Sequence, residues 1–467
     1  MHFLFNLINN LIRHFYKFGV WLKTKVDTEN NKEYKRNILT AIPFWVGASI
    51  TGLVAVAYSW LFNLAENAGM YIFTHVPWMI FIITPLSFFF AWYVVAKYSP
   101  FARGSGIPQV TAAIVLATPK HSHLINKLLG ARILLFKILS SLLMIFGGGI
   151  IGREGPTIQI SASIFKKIND FLPHWYPKIS KRNMLVTGAA AGLAAAFNTP
   201  LGGIVFAIEE LTKTHFSYFK SALLVGVIIS GLTALNILGP YLYLGYPFLD
   251  EISAWMLLIV LPVAIIGGAA GSGMGRAILF MFSKKRKHLK SKFKRYAFPI
   301  VCGLLIAATG YFLDLHVMGS GKQIMAETLF NADKHLPWYV PFLRIGGNII
   351  SFAIGASGGI FAPSLSAGAS IGAVVAELFH LGASDANLMI LCGMTACLTG
   401  ITRSPFTASI LVIEMTNSHT IIFYIMLSAL FSNIVATAVS RQAFYDVLKE
   451  KFLDEVIPDK AERDKLE

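Results

Sequence analysis

Gly152-Arg153-Glu154-Gly155-Pro156 follows the apolar run Ile133–Ile151 and leads into another helix start. If that run lies in a membrane, so does the carboxylate of Glu154. A charge at that depth costs several kcal/mol unless it is partnered or lines an aqueous path. Glu154 is therefore a functional candidate on physical grounds alone, and the residues around it decide which function.

The composition supports membrane depth. Of 467 residues, 55% are hydrophobic and only 14% charged, where a soluble chain carries about 25%. The mean hydropathy is +0.62. A soluble enzyme is excluded on this profile. The net charge of +16 raises nucleic acid as a partner, but its distribution argues against it. Seven Lys/Arg fall in residues 1–36, followed by Lys120, Lys127 and Arg132, then the stretch Lys166–Arg182. Lys284–Arg295 holds eight more. Basic clusters between apolar runs read as cytoplasmic segments, and no nucleic-acid module accompanies them. Lys284–Arg295 suits anionic lipid, with a plain cytoplasmic loop as the favoured alternative. Cys302, Cys392 and Cys397 sit in apolar sequence without CxxC or CxxH spacing, so neither a disulfide nor a zinc framework is expected. Residues 3–21 are interrupted by Asn, Arg and Lys. They read as a cytoplasmic amphipathic helix and not as a cleavable leader.

Ile42–Leu64, Tyr71–Tyr98, Ser253–Phe282 and Ile421–Val439 have the length of ordinary spans. Residues 104–117, 147–165, 184–211 and 355–379 are instead chopped by Gly and Pro. Proline suits the first helical turn and not the interior. Pro108, Pro156, Pro200, Pro363 and Pro405 each precede an apolar run, the mark of helices that begin inside the membrane. Irregular backbone is tolerated there only in protein interior or along a cavity.

The chain also repeats itself. Pro200 precedes Glu209 by nine residues, and Pro405 precedes Glu414 by nine. Gly104-Ser105-Gly106 is echoed by Gly319-Ser320-Gly321, and Gly152–Pro156 by Gly359–Pro363. The offsets are 205, 215 and 207 residues. Paired broken helices in two halves point to a transporter with its site between them. The halves are expected to be inverted if each has an odd number of crossings.

Three motifs carry the site. Gly104-Ser105-Gly106-Ile107-Pro108, Gly152–Pro156 and Gly358-Gly359-Ile360-Phe361-Ala362-Pro363 each offer a helix start, whose N–H groups and positive dipole attract anions. A tight turn, a dipole-complementing carboxylate and a kinked helix are the plain alternatives, one for each. Together, without an acidic ring, they favour an anion over a cation. Lys137 and Arg344 lie in apolar runs and either add positive potential, pair, or snorkel. Glu209 and Glu210 are adjacent and project about 100° apart on a helix, so they take different roles. Burial favours a neutral carboxylic acid, so Glu154 and Glu210 are candidates for the two ends of a proton route. Glu414, the repeat mate of Glu209, argues for a structural role for that pair.

These residues resemble the CLC chloride channel and transporter family over roughly residues 35–450. The resemblance implies an all-α multi-pass protein of two inverted repeats of tilted, broken helices. It implies a homodimer with one anion pathway per subunit. Ser105, Tyr445 and the N–H groups of Ile360 and Phe361 match the anion-binding groups. Glu154 matches the gating glutamate, Glu210 the proton-transfer glutamate and Glu209 its supporting neighbour. Gly106, Pro108, Arg153, Gly155 and Lys137 are expected to support the site. Ser105 stands where nitrate-preferring relatives carry proline, so chloride is the expected substrate. The acid at Glu210 favours H+/Cl− exchange, with a passive chloride channel of the same fold as the alternative. Only 22 residues follow Tyr445, which leaves no room for paired regulatory (CBS) domains and favours a prokaryotic-type member in the cell membrane. The expected division is a basic cytoplasmic segment at 1–36, repeats at 37–240 and 241–450, and a cytoplasmic tail at 451–467. No cofactor or metal is expected.

Overall fold

Each of the five prolines read as a helix start lies in the first turn of a helix. The structure, a computed structural model, describes residues 32–212, 220–239, 242–250, 252–253, 255–288, 291–331, 334, 336–459 and 463. The amphipathic helix expected at the N-terminus lies outside these residues.

The first half opens with the long α1 (Lys32–His75) and α2 (Ile80–Tyr98). Short α3 (Ile107–Val115) and α4 (Ile125–Leu129) lead to α5 (Ala131–Phe146), α6 (Glu154–Phe171) and α7 (Lys181–Phe197). Then come α8 (Pro200–Phe206), a π-helical turn (Ala207–Thr212) and α9 (Lys220–Leu238). The second half runs through α10 (Met256–His288), α11 (Lys292–Phe312), short α12 (Lys322–Phe330) and α13 (Val340–Ala353). It continues with α14 (Phe361–Leu378), α15 (Ala383–Thr402), α16 (Pro405–Thr416) and α17 (Ile422–Val439). It ends in α18 (Phe444–Val456), which runs past residue 450.

Nine helices among the described residues are long and apolar enough to cross a membrane. Two of them differ from the rest. The apolar windows of α14 and α15 are 83% and 94% buried, against 33–50% for the other seven. The α14–α15 hairpin is therefore the core, and the other long helices present more of their surface to the surroundings. Small residues let its two helices touch. A β-carbon on Gly368 would lie 2.2 Å from the Gly393 carbonyl oxygen, and one on Gly393 would lie 2.3 Å from that of Gly368. Close backbone approach of this kind replaces the hydrophobic drive that lipid does not supply.

One expected span divides differently. Tyr71–Tyr98 is not a single helix, because Tyr71 belongs to the last turns of α1 and the chain breaks at Val76 before a 3₁₀ turn at Pro77–Met79. Pro77 lacks the N–H that would continue α1 and disfavours helical geometry at Val76. The first span is correspondingly longer than Ile42–Leu64, and a helix of that length crosses at a tilt.

The two halves are linked reciprocally. Glu209 accepts from Phe406 N (3.2 Å), Thr407 N (2.7 Å) and Thr407 Oγ1 (2.7 Å) at the start of α16. Glu414 at the end of α16 accepts from Leu201 N (3.0 Å) and Gly202 N (2.7 Å) at the start of α8. Repeat mates exchange caps across the junction, as a two-fold relation between halves produces.

Replacing Gly368 by leucine forces α14 and α15 apart. The expected loss is about 1–3 kcal/mol or more, read as a lowered unfolding temperature in detergent, while leucine at exposed Gly382 changes little. Equal melting of the two variants would contradict the close contact.

Candidate functional site

Helix starts meet at the centre because loops from the two halves pair there. Gly152 N donates to Gly359 O (2.8 Å) and Gly359 N to Gly152 O (2.7 Å). Gly104 N donates to Ala356 O (2.7 Å) and Gly358 N to Gly104 O (3.2 Å). These bonds fix the starts of α3, α6 and α14 against one another. Gly155 permits the approach, since a β-carbon there would lie 2.2 Å from Ser105 Oγ.

Glu154 is buried at the first position of α6. Its carboxylate is folded back against Gly152 and accepts from the Ala362 N–H at the start of α14 and from its own N–H. Its Oε2 is buried without a hydrogen-bond partner. A carboxyl side chain thus sits where the α14 dipole favours an anion. Arg153 points elsewhere. Its Nη1 donates to Ser59 O (3.1 Å) and Asn63 Oδ1 (2.9 Å) on α1, and its guanidinium lies 5.9 Å from the Tyr243 ring centroid.

Ser105 and Tyr445 are both buried, with Oγ and OH 3.4 Å apart. Helix α18 brings Tyr445 to this place. Arg103, just before the Ser105 loop, holds α18 through Glu455 (2.5 Å) and lies over the Phe452 ring (4.7 Å). The N–H groups of Ile360 and Phe361 stand ahead of the first α14 hydrogen bond, which Ser364 N makes to Ile360 O, so they belong to the unpaired donors of a helix start. Tyr445 lies within electrostatic reach of both Glu154 and Glu210.

Glu210 opens onto the same region. A narrow cleft is lined by Phe206, Glu210, Phe361, Leu398, Thr402, Ser404, Thr407, Ala408 and Tyr445. Ser404 Oγ donates to Glu210 Oε2 at 2.8 Å. The π-helical turn over Ala207–Thr212 carries both acids, a distortion found at functional sites. Its wider winding replaces the ordinary α-helix expected at Glu209-Glu210. The two carboxylates reach the same helix, α16, at different residues: Glu209 caps its first N–H groups and Glu210 takes the hydroxyl of the residue before it.

Lys137 and Arg344 are fully buried. Lys137 Nζ donates to Ala102 O (2.9 Å) and Gly104 O (2.7 Å). Arg344 donates to the carbonyls of Val317 (2.8 Å), Met318 (3.3 Å), Gly319 (3.0 Å) and Ser320 (2.9 Å) and to Ser366 Oγ. Each cation is spent mainly on carbonyl oxygens in and just before one Gly-Ser-Gly loop. Their placement is neither a snorkel nor a simple ion pair, because the loops themselves supply the acceptors.

Ser105, Glu154, Ile360, Phe361 and Tyr445 come together, with Gly106, Pro108 and Gly155 in the loops and first turns that hold them and Glu210 on the adjoining cleft. Arg153 and Glu209 serve the frame around them. The sequence reading passed over Ser404, Asn63, Tyr243 and Glu66. Glu66 carried a signal, since it is a carboxylate on a helix of membrane-spanning length and the argument used for Glu154 applies to it equally.

A model of the voltage gated chloride channel family matches residues 87–437. The fold is similar to that of a slow cyanobacterial Cl−/H+ antiporter, with a TM-score of 0.77 and 25% identity over 89% of this chain and 98% of that one. It is also similar to a CLC-type fluoride/proton antiporter (TM-score 0.73, 19% identity, 89% and 98% covered). A eukaryotic CLC transporter shares the fold as well (TM-score 0.70, 19% identity, 88% and 74% covered).

Lys137→Met removes two charge-assisted bonds from the Ala102 and Gly104 carbonyls, which keep only Ser357 Oγ (2.6 Å) and Gly358 N (3.2 Å). The expected cost is about 2–3 kcal/mol of stability, and because the same loop carries Ser105, chloride affinity by calorimetry falls at least about tenfold, or about 1.4 kcal/mol. Unchanged binding would show that the lysine does not organise the loop.

Proposed function

The chain belongs to the voltage gated chloride channel family, and we propose that it is a secondary antiporter exchanging chloride for protons across a membrane. The observation that carries this reading is the Glu154 carboxylate, bound at a helix start with one oxygen unpartnered. A carboxylate held this way imitates the ion it would compete with. The similarity to a Cl−/H+ antiporter over 89% of the chain supports the same reading.

In this mechanism chloride and the Glu154 carboxylate compete for one place. Ionised Glu154 occupies it. Protonation removes the charge that the α14 dipole holds, the neutral side chain swings out, and chloride enters. Ser105, Tyr445 and the N–H groups of Ile360 and Phe361 hold the anion on the far side. Glu210 relays protons from the cytoplasm, with the Ser404 hydroxyl as its hydrogen-bond donor. Chloride then moves one way as a proton moves the other, without covalent chemistry. The basic segments favour both termini in the cytoplasm, and the resemblance to the family implies a homodimer with a pathway in each subunit in a bacterial cell membrane.

Purified protein in liposomes separates the parts of this reading. Glu154→Gln is expected to abolish proton uptake driven by a chloride gradient, while chloride still moves and loses its dependence on pH. Coupled proton uptake that persists in this variant rules out Glu154 as the gate. Glu210→Gln is expected to stop proton movement and spare chloride, and an unchanged proton-to-chloride ratio means another route. A reversal potential indifferent to a pH gradient in the native protein marks a passive chloride channel instead. Ser105→Pro is expected to shift relative flux from chloride toward nitrate, and no shift reduces Ser105 to a turn residue.

A further inference from the structure

The second half contains its own Gly-Ser-Gly loop, and a carboxylate already sits in it. Ser320 N donates to Glu66 Oε1 at 2.6 Å and Ser320 Oγ to Glu66 Oε2 at 3.1 Å. Glu66 comes from α1, 254 residues away, so this is not a local turn. The two loops are built alike. Gly104 and Gly106 have φ of +67° and +111°, and Gly319 and Gly321 have +71° and +86°. Each loop gives its carbonyls to a buried cation, Lys137 in one and Arg344 in the other, and these cations stand 207 positions apart. In the first loop the serine faces the proposed chloride position. In the second, the same serine donors face an anion that belongs to the protein.

The surroundings are built for negative charge. Lys322 and Arg344 are within electrostatic reach of Glu66, and Arg153 is within reach of Lys322. Lys322 Nζ and the Arg153 guanidinium both lie against Tyr243, at 4.9 and 5.9 Å from its ring centroid. Ser59, Asn63 and Glu66 share one face of α1, and Arg153 binds the first two, one turn from Glu66. Arg153 is only 5% exposed, and its Nε is buried without a hydrogen-bond partner. Glu154 is itself within reach of Glu66. Lys322 and Arg344 lie within reach of Glu66, and Arg153 within reach of Lys322 and Glu154, so removing Glu66 leaves an excess of positive charge around the vacated donors.

We propose that the Gly319-Ser320-Gly321 loop, with Lys322 and Arg153, is a second anion site near Glu154, kept closed by the Glu66 carboxylate and accepting a small monovalent anion of the halide class when that carboxylate is withdrawn. A halide is comparable in size to a carboxylate group, and the donors left by Glu66, one N–H and one hydroxyl, are of the same kind as those offered around Ser105.

Bromide binding tests this directly. Glu66→Ala vacates the loop, whereas Glu66→Gln keeps an oxygen acceptor in it. Glu66→Ala is expected to bind one more bromide per chain than the native protein or Glu66→Gln. The added ion should give an anomalous diffraction peak within hydrogen-bond distance of Ser320 N, and it should be lost or weakened at least tenfold when Lys322→Met is added. If Glu66→Ala does not remain folded, Glu66→Ser vacates the same donors with a smaller change. Equal bromide stoichiometry in all variants, an added peak away from Ser320, or a bromide at Ser320 with Glu66 in place would each overturn the proposal. The readout is binding and not transport, so it stands or falls separately from chloride–proton exchange.

Discussion

Four main-chain hydrogen bonds, from Gly152 to Gly359 in both directions and between Gly104 and the Ala356–Gly358 segment, hold the rest of the site in place. Helices that begin inside a membrane protein leave N–H groups without partners, and non-helical backbone at that depth needs protein to satisfy it. These loops satisfy each other. What remains is then sorted by sign: carbonyl oxygens turn toward Lys137 and Arg344, and N–H groups at the starts of α3, α6 and α14 are left for anions. A pathway for a negative ion follows from that sorting without any cation aimed at the ion itself.

Carboxylates obey the same sorting. Glu154 lies at the start of α14, Glu209 at α16, Glu414 at α8 and Glu66 just ahead of α12. Their difference is in how completely each is bound. Glu209 uses both oxygens on three donors and Glu414 uses both on two, so releasing either loses several charge-assisted bonds at once. Glu154 keeps one buried oxygen unpartnered. Of the helix-start acids it is the one whose grip is incomplete, which is the property a moving group needs and a structural cap does not.

Much of this was legible in the sequence, because Pro and Gly act locally. Pro108, Pro156, Pro200, Pro363 and Pro405 mark helix starts wherever the chain later goes, and the repeat offsets pair Glu209 with Glu414 before any contact is seen. Pro77 carried the same kind of signal, but the surrounding apolar residues concealed the break between α1 and α2. The π-helical turn at Glu209-Glu210 had no sequence signal; it carries two adjacent acids whose partners, Ser404, Phe406 and Thr407, lie together only in the folded chain. The positions of Lys137 and Arg344 in apolar runs announced burial but not their acceptors, which are main-chain atoms without residue identity. Glu66 shows the clearest limit: its partner Ser320 lies 254 positions away, and only the folded chain brings them together.

The contact between Ser105 and Tyr445 bears on how the proposed exchange would differ from free conduction. Two hydroxyls 3.4 Å apart leave no open passage for a halide between them, and in the proposed function Glu154 is the closure on the other side of the paired loops. An anion between these closures is released only when one of them moves. If the mover is a carboxylate, its departure requires a proton, because an ionised group gives up the α14 dipole and the Ala362 N–H only at the full cost of a charge in a low-dielectric interior. On the proposed function the proton is then required to open that side, and this part of the coupling follows from electrostatics. A pore held open at the Ser105–Tyr445 end would still need that proton but would not trap the anion between two closures, so on the proposed function the narrowness of that contact matters to coupling as well as the acid.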